Sequence, residues 1–420
     1  MRIEDRELLQ AMYAAAVRAA EPEAALRPVL PERPKGRTIV IGAGKGAAQM
    51  AAAFERLWDG PLEGVVVTRY GFAEDCRRIR VLEAAHPVPD EAGLKASAAL
   101  LRAVEGLSAD DLVVALMCGG GSALLSAPGE GLELADEIAL NEVLLASGAP
   151  ISAMNAVRKM VSRVKGGRLA QAAQPAKVVS LVVSDVPGDD PAEVASGPTV
   201  PGQSGKAEAQ AAVRDYGITL PERVAARLER AEEPPKPDDA CFARNEVHVI
   251  ASAARSLEAA AEVARVAGFA PVILSDAIEG EAREVAKVHA AIAREVVQRN
   301  RPFTRPVAIL SGGEATVTLR GAPGRGGRNS EFLLAFALAI EGLEGIAALA
   351  ADTDGIDGSE GNAGAFADGA SAAAMRQAGC DPAAALAGHD AWGAFDAIGG
   401  LFAPGPSGTN VNDLRVILIR

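Results

Sequence analysis

The first half of the chain alternates short apolar segments with longer alanine-rich segments. The apolar segments have the length of buried strands, and the segments between them have the length of helices. A strand–helix–strand unit places its two strands parallel, so this alternation predicts a three-layer α/β domain, with a parallel sheet covered by helices on both faces. The predicted strands are 38–41, 64–68, 79–83, 111–116 and 177–183, and the predicted helices are 47–58, 90–104, 134–147 and 152–172.

A polar, proline-rich stretch at residues 229–245 interrupts this alternation. We place the domain boundary there, with residues 1–238 in the first domain and residues 239–420 in the second. Two strands around Gly312 and Gly313 and a final strand at 413–420 predict that the second domain is a smaller α/β domain with a mixed sheet. Its other predicted elements are strands at 246–251 and 271–275 and helices at 254–267 and 281–299.

The composition predicts a soluble protein that binds neither nucleic acid nor membranes. The formal net charge is −13 and the pI is about 5.0, which disfavours non-specific binding to nucleic acid. The N-terminal segment has the pattern of an amphipathic helix rather than a signal peptide, and no apolar run is long enough to span a bilayer. Widely separated cysteines predict neither a disulfide framework nor a zinc site, and hence a reducing, cytoplasmic location: Cys76, Cys118, Cys241 and Cys380.

The first glycine-rich turn follows the first predicted strand, in the sequence TIVIGAGKGAAQM. Gly42, Gly44 and Ala47 fit the G-x-G-x-x-A spacing of a dinucleotide-binding turn, and Lys45 stands inside it. Backbone N–H groups and the helix dipole favour an anion at such a helix N-terminus, and Lys45 adds a full positive charge. The turn therefore fits a phosphate site, although a tight structural turn with an exposed lysine has the same pattern.

The end of the second predicted strand bears on which phosphate compound this turn holds. An NAD site needs an acidic residue there for the ribose hydroxyls, but the strand ends in Thr68, Arg69 and Tyr70, and Glu63 lies at its other end. Arg69 keeps an NADP site open, because it can meet a 2′-phosphate. The sequence also contains no Walker A motif.

A second glycine-rich loop follows the predicted strand at 111–116 and contains Gly119, Gly120, Gly121 and Ser122. The glycines allow a ligand to approach the backbone closely, and the serine supplies a hydroxyl group. Because ligands of open α/β sheets bind at the carboxyl ends of strands, we favour a phosphate site over a flexible connection.

Basic and amide side chains fall on one side of the predicted helix at 152–172. Asn155, Arg158 and Lys159 are spaced three and four residues apart, with Lys165 near them. This strip is either a solvated basic face or, since it interrupts an acidic protein, a site for an anionic substrate.

Two groups of aspartates follow predicted strands or lie in glycine-rich loops. Asp185 and Asp189 follow the fifth predicted strand, where carboxylates suit Mg²⁺ or a base for a hydroxyl group. Asp352 and Asp354 lie between glycines in a loop that lacks the ligand pattern of an EF-hand. Asx turns explain both groups as well as a metal site does.

Three further polar residues stand out in loops. Arg328 follows a glycine-rich stretch and precedes an apolar helix, from where it can neutralise a transferring phosphoryl group. Asn410 lies just before the last predicted strand, as a polar ligand or a turn former. His86 follows the third predicted strand, and we expect it to make a structural or substrate contact rather than to act as a catalytic base.

Taken in order along the chain, these stretches resemble the glycerate 2-kinase family, whose C-terminal part is called the MOFRL domain. The resemblance rests on GAGKGAAQMA, AHPVPDEAG, CGGGSALL, NAVRKMVSRVKGGRLA, SDVPGDDPAEVASGP, GGRNSEF, DTDGIDG and GPSGTNVNDL. It implies a Rossmann-like N-terminal domain, a smaller α/β MOFRL domain and an active site in the cleft between them. It also implies an ATP- and Mg²⁺-dependent phosphorylation of D-glycerate at its 2-hydroxyl, which gives 2-phosphoglycerate and ADP.

The resemblance places the active-site lysine and arginine of the family at Lys45 and Arg328. We expect these two side chains to neutralise charge on the transferring phosphoryl group, while the glycine loops bind phosphate. Asp189, with a second aspartate, is the candidate for holding Mg²⁺ or receiving the hydroxyl proton. Arg158 or Lys159 is the candidate for binding the glycerate carboxylate. The second aspartate is Asp185, Asp352 or Asp354, and the further substrate contacts are Asn155 and Asn410.

The resemblance leaves two other functions open. An NAD(P)H-dependent hydroxypyruvate reductase fits the G-x-G-x-x-A spacing and is a name that relatives of this family have carried, but the missing strand-end acid counts against it. A non-catalytic sensor of sugar acids or nucleotides would keep the glycine loops and need no carboxylates that converge on a metal ion. A homodimer is left open as the assembly. The chain departs from the family pattern, outside these candidate groups, at Cys118, Ala123, Met160 and Ser330.

Overall fold

The computed structural model describes residues 1–319 and 324–420. They form two compact units, which we call the parallel-sheet unit (Pro22–Ile250) and the mixed-sheet unit (Met1–Glu21 with Ala251–Arg420). The strands are β1 (Thr38–Ala43), β2 (Glu63–Arg69), β3 (Ile79–Ala84), β4 (Leu112–Cys118), β5 (Lys177–Val183), β6 (Glu246–Ala251), β7 (Ala270–Ile273), β8 (Gly280–Glu281), β9 (Val307–Ser311), β10 (Ala315–Thr316), β11 (Ile346–Asp352), β12 (Gly364–Asp368), β13 (Leu401–Phe402) and β14 (Asp413–Ile419). The helices are α1 (Ile3–Ala19), α2 (Pro22–Leu26), α3 (Ala47–Leu57), α4 (Glu91–Ala103), α5 (Gly121–Leu124), α6 (Leu134–Ala146), α7 (Ile151–Met160), α8 (Arg168–Ala172), α9 (Lys206–Asp215), α10 (Glu222–Arg230), α11 (Ala253–Val266), α12 (Ala282–Arg299), α13 (Arg328–Ala339), α14 (Ser371–Gln377), α15 (Pro382–Ala387) and α16 (Ala391–Asp396).

The parallel-sheet unit is built on a six-stranded sheet of order β3-β2-β1-β4-β5-β6. The strand pairs β3–β2, β2–β1, β1–β4 and β4–β5 are all parallel. Ile41 of β1 lies opposite Val65 of β2 on one side and Ala115 of β4 on the other. Successive residues of β1 enter different cores, because Ile41 packs in the cluster that contains α4 and Val40 in the cluster that contains α3. This strand order and the burial of both faces confirm the predicted Rossmann-like three-layer arrangement.

Four helices of the same unit form an apolar cluster of their own, with Leu140 of α6, Val157 of α7 and Leu228 of α10 buried in it. The fourth helix of this cluster is α9. The prediction of one continuous helix over 152–172 is wrong, because α7 ends at Met160 and α8 begins at Arg168. The chain leaves the helix because residues 161–163 pair with residues 127–129: Gly129 donates its N–H to the carbonyl oxygen of Val161, and Arg163 donates its N–H to that of Ala127. Gly166 and Gly167, both with positive φ, then precede α8.

The mixed-sheet unit contains a six-stranded sheet of order β13-β12-β11-β14-β9-β7. Its pairs are antiparallel except for the parallel pair β7–β9, which confirms the predicted mixed sheet. One face packs against α12 and α13, and the other face packs against α1 and α11. The strands predicted around Gly312 and Gly313 correspond to β9 and to β10, which pairs with β8; residues 320–323 lie outside the described residues. None of the described helices has both the length and the apolar character needed to cross a bilayer.

The compact units are bounded differently from the predicted domains. The strand predicted at 246–251 coincides with β6, but β6 is the edge strand beside β5 in the parallel-sheet unit. Helix α1 belongs to the mixed-sheet unit, because Leu9, Met12 and Tyr13 are buried together with Ala260 of α11. An amphipathic helix shows in the sequence that one of its faces is buried, but the sequence does not identify the core that covers it.

Candidate active site

The two glycine-rich segments lie against each other at the carboxyl ends of β1 and β4. The backbone N–H of Lys45 donates to the carbonyl oxygen of Gly119 at 2.8 Å. Gly44 has a φ of +136°, and a Cβ there would lie 2.3 Å from Sγ of Cys118. Sγ of Cys118 also accepts a hydrogen bond from the N–H of Gly46 at 3.2 Å, and burial raises the pKa of this thiol to about 12. The thiol therefore supports the first turn as a neutral group.

Gly42, a predicted nucleotide ligand, lies inside β1 rather than in the turn. A Cβ at Gly42 would lie 2.6 Å from the carbonyl oxygen of Leu116 in the neighbouring strand β4. Close approach of the two strands accounts for this glycine, and the turn itself consists of Gly44, Lys45 and Gly46.

The second glycine loop brings charged side chains to the first turn. A Cβ at Gly120, where φ is +78°, would lie 2.9 Å from Cγ of Lys45 and 3.1 Å from Nε2 of His86. A Cβ at Gly119 would lie 1.9 Å from a carboxylate oxygen of Asp185. These three side chains therefore lie around a loop whose glycines leave room for them.

Gly121 and Ser122 begin the short helix α5 and contact the turn Val194–Ser196. A Cβ at Gly121 would lie 2.6 Å from Cβ of Ala195. The hydroxyl groups of Ser122 and Ser196 are 2.8 Å apart, and Ser196 donates to Oδ1 of Asn155 at 2.9 Å. The predicted phosphate ligand Ser122 is thus the first member of a hydrogen-bonded chain inside the unit.

The predicted carboxylate-binding residues of α7 continue this chain. Asn155 donates to Oε2 of Glu193 and Lys159 donates to Oε1 of the same carboxylate, both at 2.7 Å. Only 1% of the Lys159 side chain is exposed, so the solvated basic face that the sequence allowed is wrong for this residue. Arg158 donates to Oδ1 of Asn141 at 2.9 Å and to Oδ1 of Asn155 at 3.2 Å, and burial lowers its pKa.

Lys45 differs from Lys159 in its electrostatic surroundings. The ammonium group of Lys45 makes no hydrogen bond or ion pair with the described residues of its own unit. Burial, together with the charges of Lys45 and Arg69, lowers the pKa of His86. Lys45, Arg69 and His86 are therefore close enough to affect one another at the carboxyl ends of the strands.

The two predicted carboxylates that follow β5 have different surroundings. The carboxylate of Asp185 lies against Gly119. Asp189 ends the turn Pro187–Asp189 with a φ of +55°, and its side chain makes no hydrogen bond with the described residues of its unit. The structure brings Asp185 to the glycine loops and leaves the carboxylate of Asp189 without a partner there.

Arg328 is the first residue of α13 and lies among carboxylates in the mixed-sheet unit. Its Nε donates to Asp413 at 2.7 Å, its Nη2 to Asp352 at 2.8 Å and its Nη1 to Glu314 at 2.8 Å. Burial acts to lower the pKa of Arg328, but the three carboxylates outweigh it and raise the pKa. Asp352 and Asp413 are buried, whereas 58% of the Glu314 side chain is exposed.

The loop that follows β11 holds the other two predicted metal ligands. The N–H of Asp354 donates to Oδ1 of Asp352 at 3.1 Å, and Oδ1 of Asp354 accepts from the N–H of Ile356 at 2.8 Å. Burial, with the neighbouring carboxylates of Asp354 and Asp413, raises the pKa of Asp352 to about 8 against the opposing effect of Arg328. The Asx-turn interpretation therefore describes both aspartates, and the surroundings of Asp352 raise the affinity of its carboxylate for a proton.

A magnesium site was one of two sequence interpretations, and the donor atoms test it. No three His, Cys, Asp or Glu residues among those that the structure describes lie close enough together to hold a metal ion. Both oxygens of Asp352 already accept hydrogen bonds, from Arg328 and Asp354. The described residues of either unit therefore do not form a ready-made magnesium site.

Two polar residues of the mixed-sheet unit have structural partners. Asp357 accepts hydrogen bonds from the N–H groups of Asn329 and Ser330, at 2.9 and 2.8 Å, and so binds the first turn of α13. Asn410 is exposed, and its Oδ1 accepts from the N–H of Asn412 at 3.0 Å. The turn-forming interpretation of Asn410 thus describes its contact within the unit.

Sequence reasoning missed the partner of the candidate residue Lys159 and a second partner of Asp413, the carboxylate that binds Arg328. Glu193, which neutralises Lys159, lies inside a quoted motif but carries no signal of its pairing. Arg415, which donates to Asp413, lies within the apolar final strand. The alternation of residues in a strand places Asp413 and Arg415 on one face, which is the only signal that could have found this contact.

Comparison with known proteins relates both halves of the chain to described families. Residues 8–229 match the family described as "Domain of unknown function (DUF4147)", and residues 307–413 match the MOFRL family. A D-glycerate 2-kinase of Thermotoga maritima is 40% identical over 405 residues, which cover 96% of this chain and 95% of that protein. A protein of Agrobacterium vitis provisionally named hydroxypyruvate reductase is 52% identical over 416 residues, which cover 99% of this chain and 94% of that protein.

The fold of the chain is similar to that of a solved structure. The crystal structure of a glycerate kinase from Thermotoga maritima superposes with a TM-score of 0.90 at 37% sequence identity. The superposition covers 100% of each chain. The similarity to this glycerate kinase structure therefore extends over the full length of the chain.

Proposed function

This chain belongs to the glycerate kinase family, and we propose that it transfers the γ-phosphoryl group of ATP to the 2-hydroxyl of D-glycerate, giving 2-phosphoglycerate and ADP. ATP enters as its magnesium complex, so Mg²⁺ is part of the substrate. The regiochemistry follows from the family resemblance. It is consistent with a basic side chain that anchors the substrate carboxylate and so holds the adjacent hydroxyl near the phosphoryl group.

The observation that carries the proposal is the ammonium group of Lys45, which lies in a glycine turn that opens α3 and has no ion-pair partner among the described residues of its unit. Phosphoryl transfer needs little covalent chemistry from a protein and depends on positioning and on neutralising the charge of the transferring group. The N-terminus of α3 supplies N–H groups and a favourable dipole, and Lys45 supplies a full positive charge. These features support a phosphate-binding and catalytic role for Lys45 beside the Gly119–Gly121 loop.

Arg328 supports the proposal in a different way. Two of its three contacts are to buried carboxylates and position the guanidinium group, whereas the third is to the exposed Glu314. An exposed ion pair is worth only about 0–1 kcal/mol, so a substrate oxyanion can replace Glu314 at Nη1. Asp352, with its raised pKa, is our candidate to receive the proton of the substrate hydroxyl.

The structure also bears on the reductase alternative. The end of β2 carries Arg69 and Tyr70 and no acid for the ribose of NAD. The proposal therefore assigns a kinase activity, and the reductase becomes one outcome of the test.

The test is the identity of the product. Purified protein is incubated with MgATP and D-glycerate, and the product is analysed by phosphorus NMR and by conversion with enolase in the absence of a mutase. We expect 2-phosphoglycerate, and L-glycerate serves as the stereochemical control. A 3-phosphoglycerate product would overturn the regiochemistry alone. Oxidation of NADH or NADPH by hydroxypyruvate, without any ATP-dependent product, would overturn the kinase assignment.

A further inference from the structure

Three basic side chains of the parallel-sheet unit lie near one another on consecutive strand ends. Lys45 follows β1, Arg69 ends β2 and His86 follows β3. Cγ of Lys45 and Nε2 of His86 both lie within 3.1 Å of the Cβ position of Gly120, and Arg69 is close enough to affect the ionisation of His86. The parallel order β3-β2-β1 brings these ends together at one edge of the sheet.

These three side chains have no acidic partner among the described residues of their unit. The imidazole of His86 and the ammonium group of Lys45 make no hydrogen bond there. Nε of Arg69 is buried without a hydrogen-bond partner, and its guanidinium group lies 3.5 Å from the ring centroid of Phe72. Stacking on an aromatic ring holds the guanidinium group in place without neutralising its charge.

Two buried lysines of the same unit have acidic partners, in contrast to the half-buried side chains of Lys45, Arg69 and His86. Lys159 pairs with Glu193 at 2.7 Å, and Lys165 pairs with Glu137 at 2.8 Å. Like charges held close together repel each other, and burial makes the repulsion more costly. A ligand with negative oxygens would remove this cost, so Lys45, Arg69 and His86 together have the electrostatics of an anion site.

We propose that Arg69 and His86 act with Lys45 as ligands of one substrate oxyanion, either a phosphate of the nucleotide or the carboxylate of D-glycerate. This inference rests on the proposed function and adds two specific residues to its site. Nε2 of His86 donates a hydrogen bond to the bound oxygen, and Arg69 contributes a fixed charge. His86 takes up a proton when the anion binds, because a negative charge favours its charged form.

The groups around His86 determine the direction of this effect. Lys45 from the end of β1 and Arg69 from the end of β2 both disfavour its protonated form, as does burial. The loop after β4 contributes the uncharged backbone of Gly120, and beyond it Asp185 lies against Gly119. A bound anion offsets the charges of Lys45 and Arg69 and so raises the pKa of His86 again. Binding therefore takes up protons at a pH near the ordinary pKa of histidine, about 6.5.

Calorimetric titration of the full chain tests this inference without requiring turnover. ATP and D-glycerate are titrated separately into the wild type, His86→Asn and Arg69→Gln at about pH 6.5, in buffers of different ionisation enthalpy. We expect about tenfold weaker binding of the same ligand in both variants, since each loses one charge-assisted contact. The proton uptake that the wild type shows on binding should disappear in His86→Asn. Protonation of ATP itself is common to both proteins, so it cancels when their proton uptake is compared.

Matched controls separate a local effect from a general loss of charge. His248 is an exposed histidine beside Glu246, and Arg80 is an exposed arginine at the start of β3, at the opposite edge of the sheet. His248→Asn and Arg80→Gln should bind both ligands like the wild type, and thermal unfolding verifies that all four variants are folded.

The ligand that loses affinity identifies the oxyanion as phosphate or carboxylate. Unchanged affinity for both ligands in folded His86→Asn and Arg69→Gln, or unchanged proton uptake in His86→Asn, would overturn the inference while leaving the kinase activity intact. Weakened binding in a protein that makes no phosphorylated product would overturn the proposed function and leave the anion site standing. A wild type that binds neither ligand would overturn both.

Discussion

The carboxylate of Asp413 accepts a hydrogen bond from Nε of Arg328 at 2.7 Å. Its other oxygen accepts from Arg415, a buried residue two positions along the same strand, and from the N–H of Ala315 at 3.1 Å. The side chain of Asp413 is 0% exposed. One buried carboxylate thus positions the candidate catalytic arginine and neutralises a second arginine beneath it.

Loss of the Asp413 carboxylate should lower the free energy of unfolding substantially. Asp413→Asn keeps the shape of the side chain but leaves Arg328 and Arg415 without their shared counter-charge, so we expect a loss of about 3–5 kcal/mol in the free energy of unfolding. Glu314→Gln removes the exposed partner of the same arginine and should cost at most about 1 kcal/mol. Urea denaturation measures the free energy of unfolding of both variants. Equal losses would contradict the distinction between Asp413, which positions Arg328, and Glu314, which a substrate can replace.

The sequence predicted the layers of the fold better than the environment of its charges. Runs of apolar residues and the spacing of glycines identify β1, β4 and the turns that follow them, because consecutive apolar residues indicate a buried strand. Lys45 and Lys159 are indistinguishable by such patterns, yet Lys159 is neutralised by Glu193, whereas Lys45 has no ion-pair partner among the described residues of its unit. Ion pairing depends on distant segments that only the tertiary fold brings together, and for the same reason the core that covers α1 could not be predicted.

Replacement of Lys45 should affect turnover far more than stability. Lys45→Ala removes a charge that, in the proposed function, the transition state uses and that none of the described residues of its unit pairs with. We expect turnover to fall about a hundredfold to a thousandfold, the usual cost of removing one transition-state contact. Initial-rate kinetics of the glycerate-dependent formation of ADP provide the measurement, with the exposed Lys35→Ala as the control. Near-normal turnover in a folded Lys45→Ala protein would remove this lysine from the mechanism.

Replacement of Lys159 should have the opposite profile. Because its ammonium group is buried against Glu193, Lys159→Met leaves an unpaired carboxylate and should lower the free energy of unfolding by about 3–5 kcal/mol. The double variant Lys159→Met with Glu193→Gln removes both charges and should regain part of this loss. Chemical denaturation of the two single variants and the double variant gives the coupling energy. A stable Lys159→Met protein with a selectively raised KM for glycerate would restore its predicted role as the carboxylate ligand.

His289 should make the chain sensitive to acid. Its Nδ1 lies 2.9 Å from the carbonyl oxygen of Val285 and its Nε2 lies 2.9 Å from Oγ of Ser311, an arrangement that satisfies the neutral ring. Burial lowers its pKa from 6.5 to about 4, and the charge of Arg415 acts in the same direction. Below pH 6.5 the unfolded chain binds the proton more readily, so the stabilisation present above pH 6.5 is lost as the pH falls through about 4.

The shift corresponds to about 3 kcal/mol when the loss is complete. Urea denaturation across this pH range should show the wild type losing that much more stability than His289→Gln, which lacks the titrating group. His248→Gln, at an exposed position, should keep the pH dependence of the wild type. Parallel pH dependence in the wild type and His289→Gln would contradict a buried neutral imidazole.

The loop glycine that faces Lys45 and His86 offers the sharpest separation of function from stability. Gly120 and Gly131 have nearly the same positive φ, +78° and +80°. A Cβ at Gly120 meets Lys45 and His86, whereas a Cβ at Gly131 has nothing within 4 Å. Alanine at either position carries the same backbone penalty of about 1–2 kcal/mol, and any further effect of Gly120→Ala comes from displacing the two basic side chains. We therefore expect similar unfolding free energies for Gly120→Ala and Gly131→Ala but a drop in kcat/KM only for Gly120→Ala, and equal activities would show that this loop does not position Lys45 and His86 for catalysis.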